Sequence, residues 1–197
     1  GDTYAEIYEI WNGKALYIQQ GINKTTSQFE VLVTFAQKGE KVILLPTYSH
    51  RTVNIGNEPL VMANWICFEV GGKEVNGISG IGAKVEVDFT DIEAKNGYAY
   101  HVIKTSDGKI GLRHNSAYGP MPTPLILTCP VESIKQIGLS KKEPMYPLLN
   151  KGDILTRFLK NAKGLKGVFT SAFKKLTLQQ AQKIYNVIMV QTNSLDN

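Results

Sequence analysis

Several residue types that would identify a class of protein are scarce in this sequence of 197 residues. It contains two cysteines, Cys67 and Cys129, and Cys67 lies in the apolar run Trp65-Ile66-Cys67-Phe68. Buried reduced thiols are therefore favoured over a disulfide. No apolar stretch approaches the roughly 18 residues that a membrane span requires, and the first residues show no basic-then-apolar signal sequence. We therefore expect a soluble, cytoplasmic protein without a membrane partner.

The sequence also lacks a strong charge of either sign. Its 22 Lys+Arg and 17 Asp+Glu give a net charge of +5, which suits an anionic ligand such as a sugar phosphate or a nucleic acid. Basic residues become frequent from Lys141 onward, but they form no dense block with interleaved aromatic residues, so nucleic acid is the less favoured partner. The content of 43% apolar and 20% charged residues excludes a disordered chain and a coiled coil.

What the first third of the sequence does contain is the pattern of β-strands. Residues Ala5 to Ile10 alternate between apolar and polar, and Asn12-Gly13 leads into Lys14 to Gln19, which predicts a hairpin. Further strands are predicted at Gln28 to Ala36, Glu40 to Leu45, His50 to Ile55 and Leu60 to Val70. Short strands separated by Gly, Asn and Pro turns predict an antiparallel sandwich or barrel.

The remaining part of the chain alternates between predicted helices and strands. A short helix at Asp88 to Lys95, capped by Asp88 or Thr90, is followed by strands at Tyr98 to Lys104 and from Ile110. Helices are then predicted at Val131 to Ile137, at Asp153 to Ala162 and from Thr177, where Gln180 completes a capping box. Leu178, Ala181, Tyr185 and Ile188 share a face at helical spacing, which predicts a docking surface.

Two spaced motifs are the most informative part of the sequence. The first is Glu6-x6-Gly13, and the second is Gly39-x6-Pro46-x3-His50-x3-Asn54. The three histidines His50, His101 and His114 form no local catalytic motif with a serine or cysteine. His101 and His114 are interpreted as structural or surface residues, although either could serve as a metal ligand. Tyr4, Tyr8 and Tyr17 are interpreted as packing residues.

These two motifs resemble the signature motifs of the cupin superfamily. A closer resemblance, to the cupin-type phosphoglucose isomerases, rests on five segments that occur in the same order. They are residues 4–10, 45–54, 97–100, 115–120 (NSAYGP) and 138–146 (GLSKKEPMY). The resemblance does not extend beyond about residue 165.

The resemblance implies a fold, an activity and a set of site residues. The fold would be mainly β, a cupin-like double-stranded antiparallel sandwich or jelly-roll barrel over residues 1–130; the helices predicted from the residue pattern add a helical C-terminal extension over residues 131–197, packed on the barrel or a partner. The activity would be the metal-dependent interconversion of glucose 6-phosphate and fructose 6-phosphate through a cis-enediol or a metal-assisted shift. Glu6 and His50 would hold a divalent metal (Fe, Mn, Zn or Ni), Glu6 would serve as catalytic base, and Tyr48 would bind the sugar. A homodimer is also expected.

The sequence departs from the family pattern at its start. The family has a His-x-His pair just before the glutamate, whereas this sequence begins Gly1-Asp2-Thr3, so we expect an upstream portion, including N-terminal barrel strands, that is not represented here. Two protein ligands are fewer than a catalytic metal usually has. Two other functions therefore stay open: a non-catalytic cupin that binds a sugar or sugar phosphate, and a cupin oxygenase.

Overall fold

The computed structural model of the chain describes residues 5–65, 90–120, 125–130, 132–134, 139–141, 143–145 and 174–190. Within these residues the protein is mainly β, with several antiparallel sheets and a small helix near the C-terminus. The predicted fold class is therefore confirmed, and the architecture is consistent with a β-sandwich. Neither helix in this part of the chain has the length and apolarity needed to cross a bilayer.

The described residues form thirteen strands, two α-helices and one 3-10 turn. In chain order they are β1 (Glu6–Asn12), β2 (Lys14–Ile22), β3 (Phe29–Gln37), β4 (Lys41–Leu44), β5 (Ser49–Asn54), β6 (Val61–Trp65), α1 (Thr90–Ala94), β7 (Tyr100–Lys104), β8 (Ile110–His114), a 3-10 turn (Ser116–Tyr118), β9 (Ile126–Thr128), β10 (Ser133–Ile134), β11 (Leu139–Ser140), β12 (Lys175–Leu176), α2 (Leu178–Tyr185) and β13 (Val187–Val190). The predicted helices at Asp88 to Lys95 and from Thr177 correspond to α1 and α2. The helix predicted at Asp153 to Ala162 lies outside the described residues.

A five-stranded sheet, in the order β12-β9-β3-β2-β5, forms the middle layer of the molecule. On one face it packs against the β4-β1-β6 sheet, where Tyr17 and Ala15 meet Ile10, Val42 and Leu44. On the other face, Leu16 and Ile18 pack with residues of the β13-β8-β7 sheet. Because successive residues of a strand point to opposite faces, burial on both sides explains why six consecutive residues of β2 are buried.

Two neighbouring glutamines of β2 connect this middle sheet to both layers. The Gln19 side chain donates to the Ile43 carbonyl at 3.2 Å and accepts from the Leu45 amide at 2.7 Å. The Gln20 side chain donates to the Tyr118 hydroxyl and accepts from the Ala99 amide, both at 2.9 Å. Buried amides are tolerated here because their polar atoms are hydrogen-bonded.

The hairpin predicted at Asn12-Gly13 is wrong. Strand β1 pairs with β4 and β6, while β2 pairs with β3 and β5, so the two strands belong to different sheets. Gly13 adopts a φ of +83° at the corner between them, and a Cβ atom there would lie 3.0 Å from the Pro59 carbonyl oxygen. A glycine is required at this corner because the backbone approaches another segment closely in a left-handed conformation.

The C-terminal part departs from the helical prediction in two places. The helix predicted at Val131 to Ile137 is wrong at Ser133–Ile134, which form β10 and pair with β11. Helix α2 begins at the predicted capping box, in which the Thr177 hydroxyl accepts from the Gln180 amide. It ends at Tyr185, so Ile188 lies in β13 rather than on the predicted helical face, and Leu178 on that face is exposed.

Candidate functional site

Glu6 and His50 face each other between the β1 sheet and the middle sheet. Glu6 pairs with Leu44 on β4, and His50 pairs with Gln19 on β2, so the two side chains project from different layers. The distance between Glu6 Oε2 and His50 Nε2 is 3.9 Å, and their side chains are 14% and 25% exposed. The structure therefore brings together, in a partly enclosed position, the two residues that the spaced motifs singled out.

Tyr8 is the residue of this site that the sequence interpretation missed. It follows Glu6 by two positions on β1, so both side chains lie on the same face of the strand. Its ring contacts the His50 ring edge-on, with centroids 6.1 Å apart, and it contacts the Tyr17 ring at 5.5 Å. The Tyr8 hydroxyl accepts from Asn64 Nδ2 at 3.3 Å and lies close enough to the Glu6 carboxylate for that charge to raise the pKa of Tyr8. The alternation of β1 was the available signal for Tyr8, because it places residues 6 and 8 side by side.

The protonation of these groups follows from their burial. Burial lowers the pKa of His50, and the nearby Glu6 carboxylate opposes this shift without reversing it. Burial, together with the charge of Glu6, raises the pKa of Tyr8 to about 12. The site therefore holds a neutral imidazole, whose nitrogen can bind a metal, and a tyrosine that keeps its proton at neutral pH.

The residues present fit a divalent metal in part. Metal-to-oxygen bonds of about 2.0–2.2 Å and metal-to-nitrogen bonds of about 2.0–2.1 Å allow one ion to contact both donors across the 3.9 Å gap. Carboxylate oxygen and neutral imidazole nitrogen suit Fe, Mn, Zn or Ni. In the part of the chain that the structure describes, however, no group of three or more His, Cys, Asp or Glu side chains could hold a metal. The third and fourth ligands would have to come from elsewhere.

Tyr48, the predicted sugar-binding residue, lies in a separate network. Its hydroxyl donates to Glu30 Oε1 at 2.7 Å, and Asn23 Nδ2 donates to Glu30 Oε2 at 3.0 Å. Its ring lies so close to Gly21 that a Cβ atom there would be 3.0 Å from the ring. Burial and the neighbouring Glu30 raise the pKa of Tyr48. Thr47, just before it, has a φ of +70°, which is a strained value for a β-branched residue.

The other two histidines are not brought to this site. His101 lies on β7 opposite Arg113, and His114 lies on β8 opposite Tyr100. Burial, and then the positive charges of Arg113 and Arg51, lower the pKa of His101. The buried His114 Nε2 has no hydrogen-bond partner among the described residues. Since both strands belong to the layer beyond the middle sheet, neither histidine replaces a missing ligand beside Glu6.

Comparison with known proteins found a match that covers the N-terminal part of the chain. Among curated proteins and among solved structures, none matches the chain significantly. A family model described as glucose-6-phosphate isomerase (GPI) matches residues 1–81, which include β1 to β6 and both Glu6 and His50. The resemblance to the cupin-type glucose-6-phosphate isomerases is thereby confirmed for residues 1–81.

Proposed function

We propose that the protein is a metal-dependent aldose–ketose isomerase that interconverts glucose 6-phosphate and fructose 6-phosphate. The observation that carries the proposal is the approach of Glu6 to His50 inside the segment that the isomerase family model matches. A carboxylate beside a neutral imidazole is suited to holding a divalent ion and to moving a proton. The expected homodimer and cytoplasmic location remain predictions.

In this proposal Glu6 is the base that moves the proton between C1 and C2 of the open-chain sugar. A bound divalent ion would supply positive charge next to the C1 and C2 oxygens, where negative charge develops. Tyr8 lies beside Glu6 on the same face of β1, and its ring contacts the His50 ring edge-on, so it borders the space in which the Glu6 carboxylate would meet a substrate carbon. Because its pKa is about 12, Tyr8 stays a donor at neutral pH and does not compete with Glu6 as base.

Tyr48 is proposed to line the sugar-binding end of the site. Its hydroxyl is already bound to Glu30, so it would offer a substrate hydroxyl its oxygen lone pair and the edge of its ring. Replacing Tyr48 by phenylalanine should therefore raise KM more than it lowers kcat, because binding of substrate and transition state would be weakened alike.

The test is an isomerase assay of the purified protein, with and without added manganese or iron, together with metal analysis. Glu6→Gln should lower kcat by about 10²- to 10⁴-fold, the usual contribution of a general base. His50→Ala should lower bound metal and activity together. The matched controls are Glu58→Gln and His101→Ala, because Glu58 is exposed and His101 lies in another layer. Unchanged activity in both site variants would refute the mechanism.

A second function is favoured by the small number of ligands at the site. Because the described residues supply two metal donors rather than three, the chain could bind a sugar phosphate without turning it over. Calorimetric titration with glucose 6-phosphate would then show binding that Tyr48→Phe weakens, while metal-supplemented protein shows no fructose 6-phosphate. Measurable turnover that depends on Glu6 would exclude this second function.

A further inference from the structure

A cavity lies away from Glu6 and His50, where α2 packs against the middle sheet. Its volume is about 430 Å³, and its described walls come from β2, β3, Cys129, Pro130, Glu132 and the end of α2. Cavities that bind small molecules are commonly about 300–1,000 Å³ and combine an apolar wall with a few polar groups. This cavity therefore has the size to hold a ligand with one or two small rings.

The apolar wall of the cavity is aromatic. Phe35 and Tyr185 both line it, and their rings are stacked in parallel at 4.6 Å with an interplanar angle of 11°. Ile55 and Ile184 also line it. Flat rings favour stacked or edge-on contact with another ring over contact with a flexible alkyl chain of the same size, so this wall selects a planar ligand.

The charged groups of the cavity leave one lysine without an acidic partner. Lys141 Nζ lies 2.7 Å from Glu40 Oε1, and Glu132 is a further negative charge near Lys141. The other Glu40 oxygen accepts from the Gln37 amide at 2.9 Å, so Glu40 is fully engaged. By contrast, none of the ion pairs within the described residues includes Lys14. The described lining balances two lysines against two glutamates, so the attraction for an anionic ligand group is local to the Lys14 ammonium, which has no ion pair among these residues.

We propose that this cavity binds a small planar aromatic anion, with its ring against Tyr185 and its carboxylate or sulfonate at Lys14; Phe35, which is fully buried, supports the Tyr185 ring from behind. This site is distinct from the Glu6–His50 site, and the inference does not depend on the isomerase reaction. Cys129 provides a built-in reporter, because it lines the same cavity, is half-buried and is a free thiol. The Tyr185 hydroxyl is 3.8 Å from its Sγ atom, so a ligand against Tyr185 would cover the thiol.

The experiment measures the rate at which N-ethylmaleimide alkylates Cys129, read from the Cys129 peptide by mass spectrometry of the full chain. Naphthalene-2-sulfonate is the probe, since it joins a planar ring system to an anion. At saturation it should slow alkylation of Cys129 by about tenfold, because a pocket ligand has most of its surface covered. Butane-1-sulfonate, which has the charge without the ring, and 2-naphthalenemethanol, which has the ring without the charge, should protect at much higher concentrations.

A matched pair of lysine variants tests the charge. Lys14→Ala should raise the naphthalene-2-sulfonate concentration needed for half-protection by about five- to tenfold, since a charge-assisted contact is lost. Lys24→Ala, an exposed lysine that does not line the cavity, should leave it unchanged. The proposal is overturned if Cys129 does not react in the free protein, if naphthalene-2-sulfonate gives no protection, if butane-1-sulfonate protects equally, or if the two lysine variants behave alike.

Discussion

Replacing Lys41 by methionine should destabilise the protein severely, because it leaves a carboxylate buried without its counter-charge. Lys41 Nζ lies 3.1 Å from Glu9 Oε1, and the two side chains are only 1% and 5% exposed. Lys41 also donates to the Gly39 carbonyl, while Glu9 Oε2 accepts from the Met145 amide at 2.9 Å and from the Trp11 indole at 3.2 Å. Removing one partner of such a buried pair costs about 3–5 kcal/mol.

The free energy of unfolding, measured by urea denaturation, provides the assay. Lys95→Met is the matched control, since Lys95 pairs with Asp91 at 2.6 Å on the surface of α1 and contacts the Tyr118 ring. That exposed lysine should contribute at most about 1 kcal/mol. The double variant Glu9→Gln/Lys41→Met should be more stable than Lys41→Met alone, because it removes the isolated charge. A loss for Lys41→Met no larger than for Lys95→Met, or additive single losses, would refute the reasoning.

Three further predictions concern packing, protonation and backbone strain. Gly111→Ala should lower the free energy of unfolding by about 1–3 kcal/mol, because the added Cβ would lie 2.6 Å from Ile103 Cγ1. The control is Gly56→Ala, where the nearest atoms to an added Cβ lie at 3.5 Å; it should change the free energy of unfolding by less than about 0.5 kcal/mol in the same urea assay. The raised pKa of Tyr8, about 12, means that the unfolded chain releases this proton first, so stability should fall from pH 10 to pH 12, and Tyr8→Phe should flatten that part of a stability–pH profile. Thr47→Asn should raise the thermal midpoint and stabilise the fold by about 1 kcal/mol, because asparagine tolerates the positive φ better; an unchanged midpoint would contradict this.

Local patterns predicted most of the elements in the part of the chain that the structure describes. Apolar and alternating runs between Gly, Asn and Pro turns predicted the start of each strand from β1 to β8 within two residues, because turn residues mark where a strand begins. The capping box at Thr177 and Gln180 predicted the start of α2, since both of its hydrogen bonds form between near neighbours. Interactions between residues that are close in the sequence can be predicted from the sequence alone. The strand positions and the start of α2 depended on such local interactions.

Pairing between distant segments is what the sequence could not provide. Asn12-Gly13 has the composition of a hairpin turn, yet the competing partners β4 and β6 lie some thirty to sixty positions away from β1, and they decided its pairing. Ser133–Ile134 lies in a segment whose sequence pattern predicts a helix, but it forms a strand that pairs with β11. In each case tertiary contacts outweighed local preference.

The sequence predicted the two motif residues of the candidate site but not the contacts that surround them. The resemblance singled out Glu6 and His50, and the structure places them 3.9 Å apart. It gave no indication that Tyr8 would lie beside His50 as well as Glu6, because a tyrosine in a strand usually serves packing. Nor could it show that the Tyr48 hydroxyl donates to Glu30, since that contact joins β3 to the residue before β5, 18 positions away in the sequence.

The side-chain amides of the two adjacent glutamines at the centre of β2 fix the register of this strand. If β2 shifted by one position, Gln19 and Gln20 would exchange faces, and four hydrogen bonds would be lost at once. Each buried polar group left without a partner costs about 1–3 kcal/mol. A register shift of β2 would therefore lose hydrogen-bond energy in addition to hydrophobic contacts. The Gln20 side chain also ties the middle sheet, whose strand β5 carries His50, to the segments that flank β7 and β8 in the layer that contains the C-terminal strand β13, so a slip of β2 would disturb the candidate site and that layer together.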